Sequence, residues 1–218
     1  MTASVEAGWF ASLRQRMVDH DLRGRGINDE RVLQAMLRLP RHEFVPEAYR
    51  AQAYEDHPLP IGEGQTISQP YIVAIMLEVL ALQPTDTVLE VGTGSGYATA
   101  LLAELAARVV SVERFPALAA AAVQTLSRIG YNNVNVVVGD GSQGFAAGAP
   151  FDAILVSAAS AVVPQALLAQ LREDGGRMII PVGPAESQRL QFIRMQEGRA
   201  VVTLCGACRF VPLVSGRK

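Results

Sequence analysis

The chain has 218 residues, of which 50% are hydrophobic and 18% are charged, and its formal net charge is −2. This much apolar material suffices for one well-buried core, and the length favours one domain or two small ones. A net charge so close to zero creates no strong positive field, so we expect no nucleic-acid partner. The longest uncharged apolar run, Pro70 to Leu77, is far shorter than the ~20 residues of a membrane-spanning helix. We therefore expect no membrane partner, and we take a monomer as the working expectation.

The first residues, MTASVEAGWFASLRQRM, carry an early acid at Glu6 and lack both a basic start and a continuous apolar stretch. A secretory signal has the opposite pattern, so we predict a cytoplasmic protein. Apolar residues recur here at helical spacing and predict a helix over residues 6–18.

A second helix is predicted to begin after Asn28, which we interpret as its N-cap, and to stop at Pro40. The following stretch, up to Pro70, is dense in proline, glycine and polar residues. Ordered loops of this length in compact domains are usually functional. We interpret residues 1–69 as a helical cap that ends in an active-site loop, within one domain that spans residues 1–218.

From residue 70 onwards, helical and strand-like segments alternate. The predicted strands are residues 87–91, 108–112, 134–138, 153–156 and 177–182, and the predicted helices are 71–82, 98–107, 117–129 and 164–171. This alternation, with nearly continuous apolar strands, indicates an α/β fold whose mostly parallel sheet is covered on both faces. Three further strands, residues 190–195, 199–205 and 210–214, are predicted to be antiparallel at one edge. The sheet of residues 70–218 is thus the expected cofactor-binding part.

The strongest local signal is a glycine-rich loop between a predicted strand and a predicted helix. The strand Val88 to Val91 leads into Gly92, Thr93, Gly94, Ser95 and Gly96. Glycines allow a tight turn and a close approach of the backbone to a ligand. Open α/β sheets bind ligands at the carboxyl ends of their strands, so we predict a cofactor-binding loop here.

Three acids at successive strand ends narrow the choice of cofactor. Dinucleotide sites favour G-x-G-x-x-G and place pyrophosphate on the helix N-terminus, whereas here the spacing is G-x-G-x-G and Glu90 would repel a phosphate. Glu113 ends the second strand and can accept hydrogen bonds from ribose hydroxyls, and Asp140 ends the third, where an adenine ring would lie. The set favours S-adenosylmethionine over NAD. Solvated acids at the ends of a sheet remain a second interpretation.

Cys205 and Cys208 form a C-x-x-C, which can be a redox pair or half of a metal site. The three histidines lie far away in the sequence, although a zinc site usually needs four ligands. The pair also lies within predicted strands and not at the start of a helix. We therefore interpret both cysteines as structural and predict no metal site.

Five segments together resemble the protein-L-isoaspartate O-methyltransferase family. They are GQTISQPYIVAIM (64–76), LEVGTGSGY (89–97), GDG (139–141), FDAILVSAA (151–159) and RFVPL (209–213), in that family's order and spacing. The glycine loop is shared with many methyltransferases, whereas TISQP and RFVPL are more particular to this family. The resemblance implies a doubly wound, Rossmann-like methyltransferase sheet, S-adenosyl-L-methionine as cofactor, and repair of damaged proteins or peptides by methylation of L-isoaspartyl α-carboxylates.

The resemblance also implies roles for individual residues. Ser68 matches the active-site serine, and the loop around it is matched by Thr66, Ile67, Gln69 and Pro70. The cofactor contacts are matched by Glu90, Gly92, Gly94, Glu113, Asp140 and Gly141, to which the rest of the glycine loop adds Thr93, Ser95 and Gly96. The C-terminal strand beside the substrate peptide is matched by Val211, Pro212 and Leu213. One departure is the segment Ser160 to Val163, where the family commonly has proline, and we expect it to alter the rim of the pocket.

The chemistry implied by the resemblance needs no general base. An α-carboxylate has a pKa near ~3.5 and is already ionised at pH 7. Ser68 can donate a hydrogen bond to it, although a serine two residues before a helix could also be an N-cap. Three further functions stay open: methyl transfer to a different carboxylate, non-catalytic binding of S-adenosylmethionine and, less favoured by the glycine spacing, a dehydrogenase activity.

Overall fold

The computed structural model describes residues 3–216, and their side chains from Glu6 onwards. The helical cap consists of α1 (Ala3–Arg16), a π-helical turn (Met17–Leu22), a 3-10 turn (Arg23–Arg25), α2 (Glu30–Arg38), two further 3-10 turns (Arg41–Phe44 and Glu47–Gln52) and an antiparallel hairpin of β1 (Leu59–Gly62) and β2 (Gln65–Ile67). The hairpin contains Thr66 and Ile67 of the predicted active-site loop and ends directly before Ser68. The cap therefore positions that loop.

The N-cap prediction for α2 is wrong by one residue. Asp29 is the N-cap, and its carboxylate accepts hydrogen bonds from the amides of Arg31 and Val32. A carboxylate also interacts favourably with the positive end of the helix dipole, which a neutral amide does not. Asn28 instead donates its backbone N–H to Glu78 Oε1, over 2.6 Å.

The remaining elements form a seven-stranded sheet with helices between the strands. The strands are β3 (Thr87–Val91), β4 (Arg108–Glu113), β5 (Val134–Val138), β6 (Ala153–Val156), β7 (Arg177–Val182), β8 (Gln188–Gln196) and β9 (Arg199–Cys208), and the helices are α3 (Pro70–Leu80), α4 (Tyr97–Leu105), α5 (Pro116–Arg128) and α6 (Gln165–Leu168). The sheet order is β5-β4-β3-β6-β7-β8-β9, parallel from β5 to β7 and antiparallel at β8 and β9. The chain winds outward on both sides of β3, so the predicted doubly wound sheet is confirmed. The point where the winding reverses is the usual ligand crevice of such folds.

The third antiparallel edge strand, residues 210–214, was predicted wrongly. This segment instead pairs in parallel with the residues after β6, through an isolated bridge between Pro212 and Ala159. Ala159 donates its N–H to Val211 O over 2.8 Å, and Leu213 donates to Ala159 O over 2.7 Å. Pro212 has no N–H and cannot extend a regular ladder. The C-terminal segment consequently lies at the carboxyl end of the sheet.

The cap and the sheet share one hydrophobic core. Its main cluster joins cap residues such as Phe10 and Leu33 to strand residues such as Val88 and Val109. The single domain and its boundary at residue 69 stay predictions. No helix among residues 3–216 is long and apolar enough to span a membrane.

Candidate active site

A cavity lies at the carboxyl ends of β3, β4 and β6. The glycine loop forms one wall, the end of the β1–β2 hairpin forms a second, and the C-terminal segment forms a third. Three segments that are far apart in the chain thus meet at one crevice, in agreement with the rule for open α/β sheets.

The glycine loop needs its glycines for two different reasons. Gly92, Gly94 and Gly96 have φ angles of 94°, 55° and 87°, in the left-handed region that favours glycine. Four of the five loop residues line the cavity: Gly92, Thr93, Gly94 and Ser95. Gly96 lies outside its lining, and a Cβ there would approach Ala122 Cβ at 3.2 Å. Gly96 thus allows α4 to pack against α5.

Glu113 lies at the cavity wall and organises the loop around it. Its Oε2 accepts the amide of Gly94 at 2.8 Å, and its Oε1 accepts the amide of Phe115 at 2.9 Å. A carboxylate offers about four lone-pair sites, so both oxygens can accept a further hydrogen bond. Glu113 can therefore bind hydroxyl groups of a ligand while it holds the loop.

Glu90 has a different environment from the one predicted. Its side chain is fully buried beneath the loop and does not line the cavity. It accepts hydrogen bonds from Thr99 at 2.5 Å and Ser111 at 2.6 Å. Burial raises the pKa of Glu90 to about 8, although these hydrogen bonds lower it. Glu90 is thus largely protonated at pH 7, and its position supports an indirect role through Ser111 and Thr93, whose hydroxyls lie 2.5 Å apart.

Asp140 likewise does not line the cavity. Its Oδ1 accepts hydrogen bonds from the amide and hydroxyl of Ser142, and its Oδ2 accepts the amide of Gly216 at 2.8 Å. Partial burial opposes ionisation, but these hydrogen bonds outweigh it and lower the pKa of Asp140. The next residue, Gly141, does line the cavity, and a Cβ there would lie 2.4 Å from Val91 Cγ1. After β5, the backbone of Gly141 therefore lines the cavity, whereas the Asp140 side chain does not.

On the opposite wall, Thr66, Ile67 and Ser68 line the cavity. Gln69 lines only an adjacent groove, and Pro70 lies buried as the first residue of α3. Gln69 is the N-cap position of α3 and makes no side-chain capping bond, so the interpretation of Ser68 as an N-cap is wrong. The Ser68 side chain is thereby available for a ligand.

The cavity adjoins that groove, which is lined by residues of α3, the active-site loop and β9. Thr66, Ser68, Ser157 and Val211 line both spaces. A small molecule in the cavity and a second molecule in the groove would therefore meet at Ser68. Val211, Pro212 and Leu213 all line the cavity, as the resemblance implies.

Sequence reasoning overlooked several lining residues, namely Val73, Met76, Tyr97, Phe115, Ser157 and Ala158. Ser157 and Ala158 follow directly after β6, and Phe115 follows closely after β4. Position after a strand end was therefore the signal that could have found them. The residues of the Ser160 to Val163 segment line neither space, and Val162 is 71% exposed. The structure therefore gives no support for an altered rim.

Both cysteines are free and partly buried. Burial raises the pKa of Cys205 and raises that of Cys208 to about 11, so both thiols stay protonated at neutral pH. Within residues 3–216, no group of three or more His, Cys, Asp or Glu side chains is arranged to hold a metal ion. The structural role of Cys205 and Cys208 stays a prediction.

Comparison with known proteins gives a consistent result. The family described as protein-L-isoaspartate(D-aspartate) O-methyltransferase (PCMT) matches residues 12–218. A protein-L-isoaspartate O-methyltransferase from Koribacter versatilis is 56% identical over 217 residues, which cover 100% of this chain and 97% of the relative. Another, from Methanoculleus marisnigri, is 57% identical over 92% of this chain and 91% of its own length.

The chain belongs to the protein-L-isoaspartate O-methyltransferase family. The predictions of the family and of the enzyme class are thereby confirmed. A solved protein-L-isoaspartate O-methyltransferase is 30% identical, has a TM-score of 0.84, and is matched over 93% of this chain and 66% of its own.

A second solved structure bears on the cofactor. A putative protein-L-isoaspartate O-methyltransferase from Plasmodium falciparum, in complex with S-adenosyl-L-homocysteine, has a TM-score of 0.80 and 26% identity, over 92% of this chain and 98% of its own. S-adenosyl-L-homocysteine is S-adenosylmethionine without the transferred methyl group. This relative therefore agrees with the predicted cofactor.

Proposed function

We propose that the chain transfers the methyl group of S-adenosylmethionine to the free α-carboxylate of L-isoaspartyl residues in damaged proteins and peptides. One observation carries this proposal: the glycine-loop cavity and the adjacent groove meet at the hydroxyl-bearing residues Thr66, Ser68 and Ser157. A methyltransferase requires such a junction of two spaces. The sequence-based expectations of a cytoplasmic monomer, without nucleic-acid or membrane partners, are kept as part of the proposal.

The cavity fits S-adenosylmethionine better than a dinucleotide. Gly92 and Gly94 present backbone without side chains, and Glu113 has free acceptor sites suited to the two ribose hydroxyls. Arg114 also lines the cavity, but its guanidinium donates to the carbonyls of Val214 and Gly216. Glu113 is thus available to accept hydrogen bonds from a ribose, whereas the Arg114 guanidinium is already bound to backbone carbonyls. When bound, the cofactor supplies an activated methyl group on a sulfonium.

The residues of the chain then have two tasks at the substrate side. Ser68 donates a hydrogen bond to the ionised α-carboxylate and so orients the attacking oxygen, which needs no general base. Apolar residues of the cavity wall, among them Val73, Met76 and Leu213, exclude water. Alignment of the reacting groups alone can contribute roughly 7–11 kcal/mol. Catalysis here is therefore mainly a matter of positioning.

A pair of peptides that differ only in one residue, L-isoaspartate or aspartate, tests the reaction. The isomers have equal charge and mass, so only the position of the carboxylate relative to the backbone distinguishes them. We expect methyl transfer to the isoaspartyl peptide and essentially none to its twin. Equal rates on both would indicate a methyltransferase for a different carboxylate, and cofactor binding without any transfer would indicate a binding module.

Ser68→Ala tests the role of the hydroxyl in the same assay. It should lower kcat/KM for the isoaspartyl peptide about ten- to a hundredfold, the worth of one hydrogen bond to a charged group, with cofactor affinity unchanged. Ser127→Ala, at an exposed position of α5, is the matched control. An unchanged kcat/KM in Ser68→Ala would remove Ser68 from the substrate site.

A further inference from the structure

We propose that Arg41 and Asp56, here called the cap pair, are positioning residues that fix the backbone around Ser68. This inference rests on the proposed function, because it assigns to the cap the placement of the substrate-binding serine. Neither residue lines the cavity or the groove, so both act through the loop.

Arg41 holds the carbonyl of Ser68. Its Nη2 donates to Ser68 O over 2.8 Å, and its Nε donates to Ala53 O over 2.7 Å. The side chain is fully buried, and within residues 3–216 it forms no ion pair with a carboxylate. Burial of an unpaired charge is costly, so a residue of this kind needs a specific reason to be present. Two carbonyl acceptors, one of them at the active-site serine, are that reason.

Asp56 holds the residues that follow Ser68. Its Oδ2 accepts Gln69 Nε2 at 2.7 Å, and its Oδ1 accepts the amide of Tyr71 at 2.9 Å. The same carboxylate pairs with Arg25, whose guanidinium lies 3.5 Å from the centroid of the Tyr71 ring. Asp56 therefore fixes both the side chain and the backbone on the C-terminal side of the serine.

The loop needs such external contacts because it has few of its own. Ser68 and Gln69 belong to no strand or helix, and Pro70 has no N–H to donate. The cap pair contacts three successive non-proline residues of this segment, namely Ser68, Gln69 and Tyr71. A displacement of about 1 Å at a reacting group can cost on the order of a hundredfold in rate. The contacts of the cap pair thus set the position of the Ser68 hydroxyl.

Arg41 also touches the cofactor half of the cavity. Its guanidinium carbon lies 4.7 Å from the centroid of the Tyr97 ring, and Tyr97 follows the glycine loop and lines the cavity. The glycine loop itself is held within the sheet, by the bonds from Gly92 N to Val112 O and from Gly94 N to Glu113. Changes in the cap pair should accordingly affect the peptide side far more than the cofactor side.

Arg41→Lys and Asp56→Asn in the full chain test the inference. Lysine cannot reproduce two directed bonds from one planar group, and asparagine offers one acceptor where aspartate offers two. We expect each to lower kcat/KM for the isoaspartyl peptide at least about tenfold, with the affinity for S-adenosyl-L-homocysteine within about threefold of wild type. Arg38→Lys and Glu104→Gln, which alter a partly exposed ion pair between the cap and α4, are the matched controls.

A second measurement does not depend on catalysis. Hydrogen exchange of the peptide covering residues 66–72 should be faster in both variants, while exchange of residues 88–97 stays unchanged. Because the cap pair acts through Ser68, the effect of Arg41→Lys on kcat/KM should also shrink in the Ser68→Ala background.

Three results would overturn the inference: unchanged kcat/KM in both variants, loss of cofactor binding together with peptide activity, or full additivity with Ser68→Ala. The second of these would show a general folding role. Failure of wild-type protein to methylate the isoaspartyl peptide would instead refute the proposed function, and the exchange measurement would still decide whether the cap pair holds the loop.

Discussion

The proposed cofactor half and the proposed substrate half of the active site are built in different ways. The cofactor half comes from short segments at the ends of neighbouring parallel strands, and hydrogen bonds within the sheet hold it, such as the bond from Gly94 N to Glu113. The substrate half combines residues 66–68, 157–158 and 211–213, which only tertiary packing brings together. Its loop depends on two charged side chains from the cap, Arg41 and Asp56. A local motif therefore suffices for one half, whereas the other requires the whole fold.

Removal of the Glu113 carboxylate from the cavity wall should have the largest effect on the cofactor half. Glu113→Ala deletes the predicted ribose acceptor and the partner of two backbone amides, and should weaken binding of S-adenosyl-L-homocysteine by ~1.5–3 kcal/mol, about ten- to a hundredfold. Calorimetry measures this, with Glu173→Ala at an exposed acid as control. Unchanged affinity, or tighter binding of NAD than of S-adenosyl-L-homocysteine, would contradict the assignment of this half.

The substitution Gly141→Ala tests the packing between β3 and the C-terminal segment, where the two halves meet. Its Cβ would lie 2.4 Å from Val91 Cγ1 on β3 and 3.9 Å from Leu213 Cδ1 on the C-terminal segment. We expect Gly141→Ala to lower the free energy of unfolding by about 1–3 kcal/mol through overpacking, as measured by urea denaturation. At Gly139 the nearest atom to a new Cβ is 3.6 Å away, so Gly139→Ala is the matched control. Equal stability of the two variants would show that Val91 moves aside without cost.

The buried acid beneath the glycine loop predicts a pH-dependent effect on stability. Folded Glu90 keeps its proton up to a pKa of about 8, whereas the reference pKa of the free side chain is 4.5. Between these values the folded state binds more protons, so the contribution of this group to stability falls as pH rises, by at most about 1.4 kcal/mol per pH unit. Glu90→Gln should remove that part of the slope, as measured by denaturation at pH 5 to 8. If stability depended on pH identically in the wild-type protein and in Glu90→Gln, Glu90 would be ionised in the folded protein.

The β-branched strands and the glycine loop could be predicted because each is determined by a short continuous run of residues in the sequence. Residues 87–91, 153–156 and 177–182 have the predicted bounds, since buried parallel strands require nearly continuous apolar runs. The edge strand 134–138 also has its predicted bounds, although its side chains are only partly buried. Single residues within these patterns were harder to interpret. Glu90 and Asp140 stand at strand ends as predicted, but neither lines the cavity. Their carboxyl groups instead accept hydrogen bonds from other residues of the protein, namely Thr99, Ser111, Ser142 and Gly216.

The sequence by itself determined the doubly wound sheet, the family and the segments that surround the cavity, because apolar periodicity and short motifs record contacts made along the chain. Only the tertiary structure decided that Pro212 pairs with Ala159 and that Arg41 reaches the carbonyl of Ser68. It also decided that Glu90 is buried, which raises the pKa of its carboxyl group. These properties depend on burial and on partners distant in sequence, and no local spacing of residues encodes a desolvation energy or a long-range hydrogen bond.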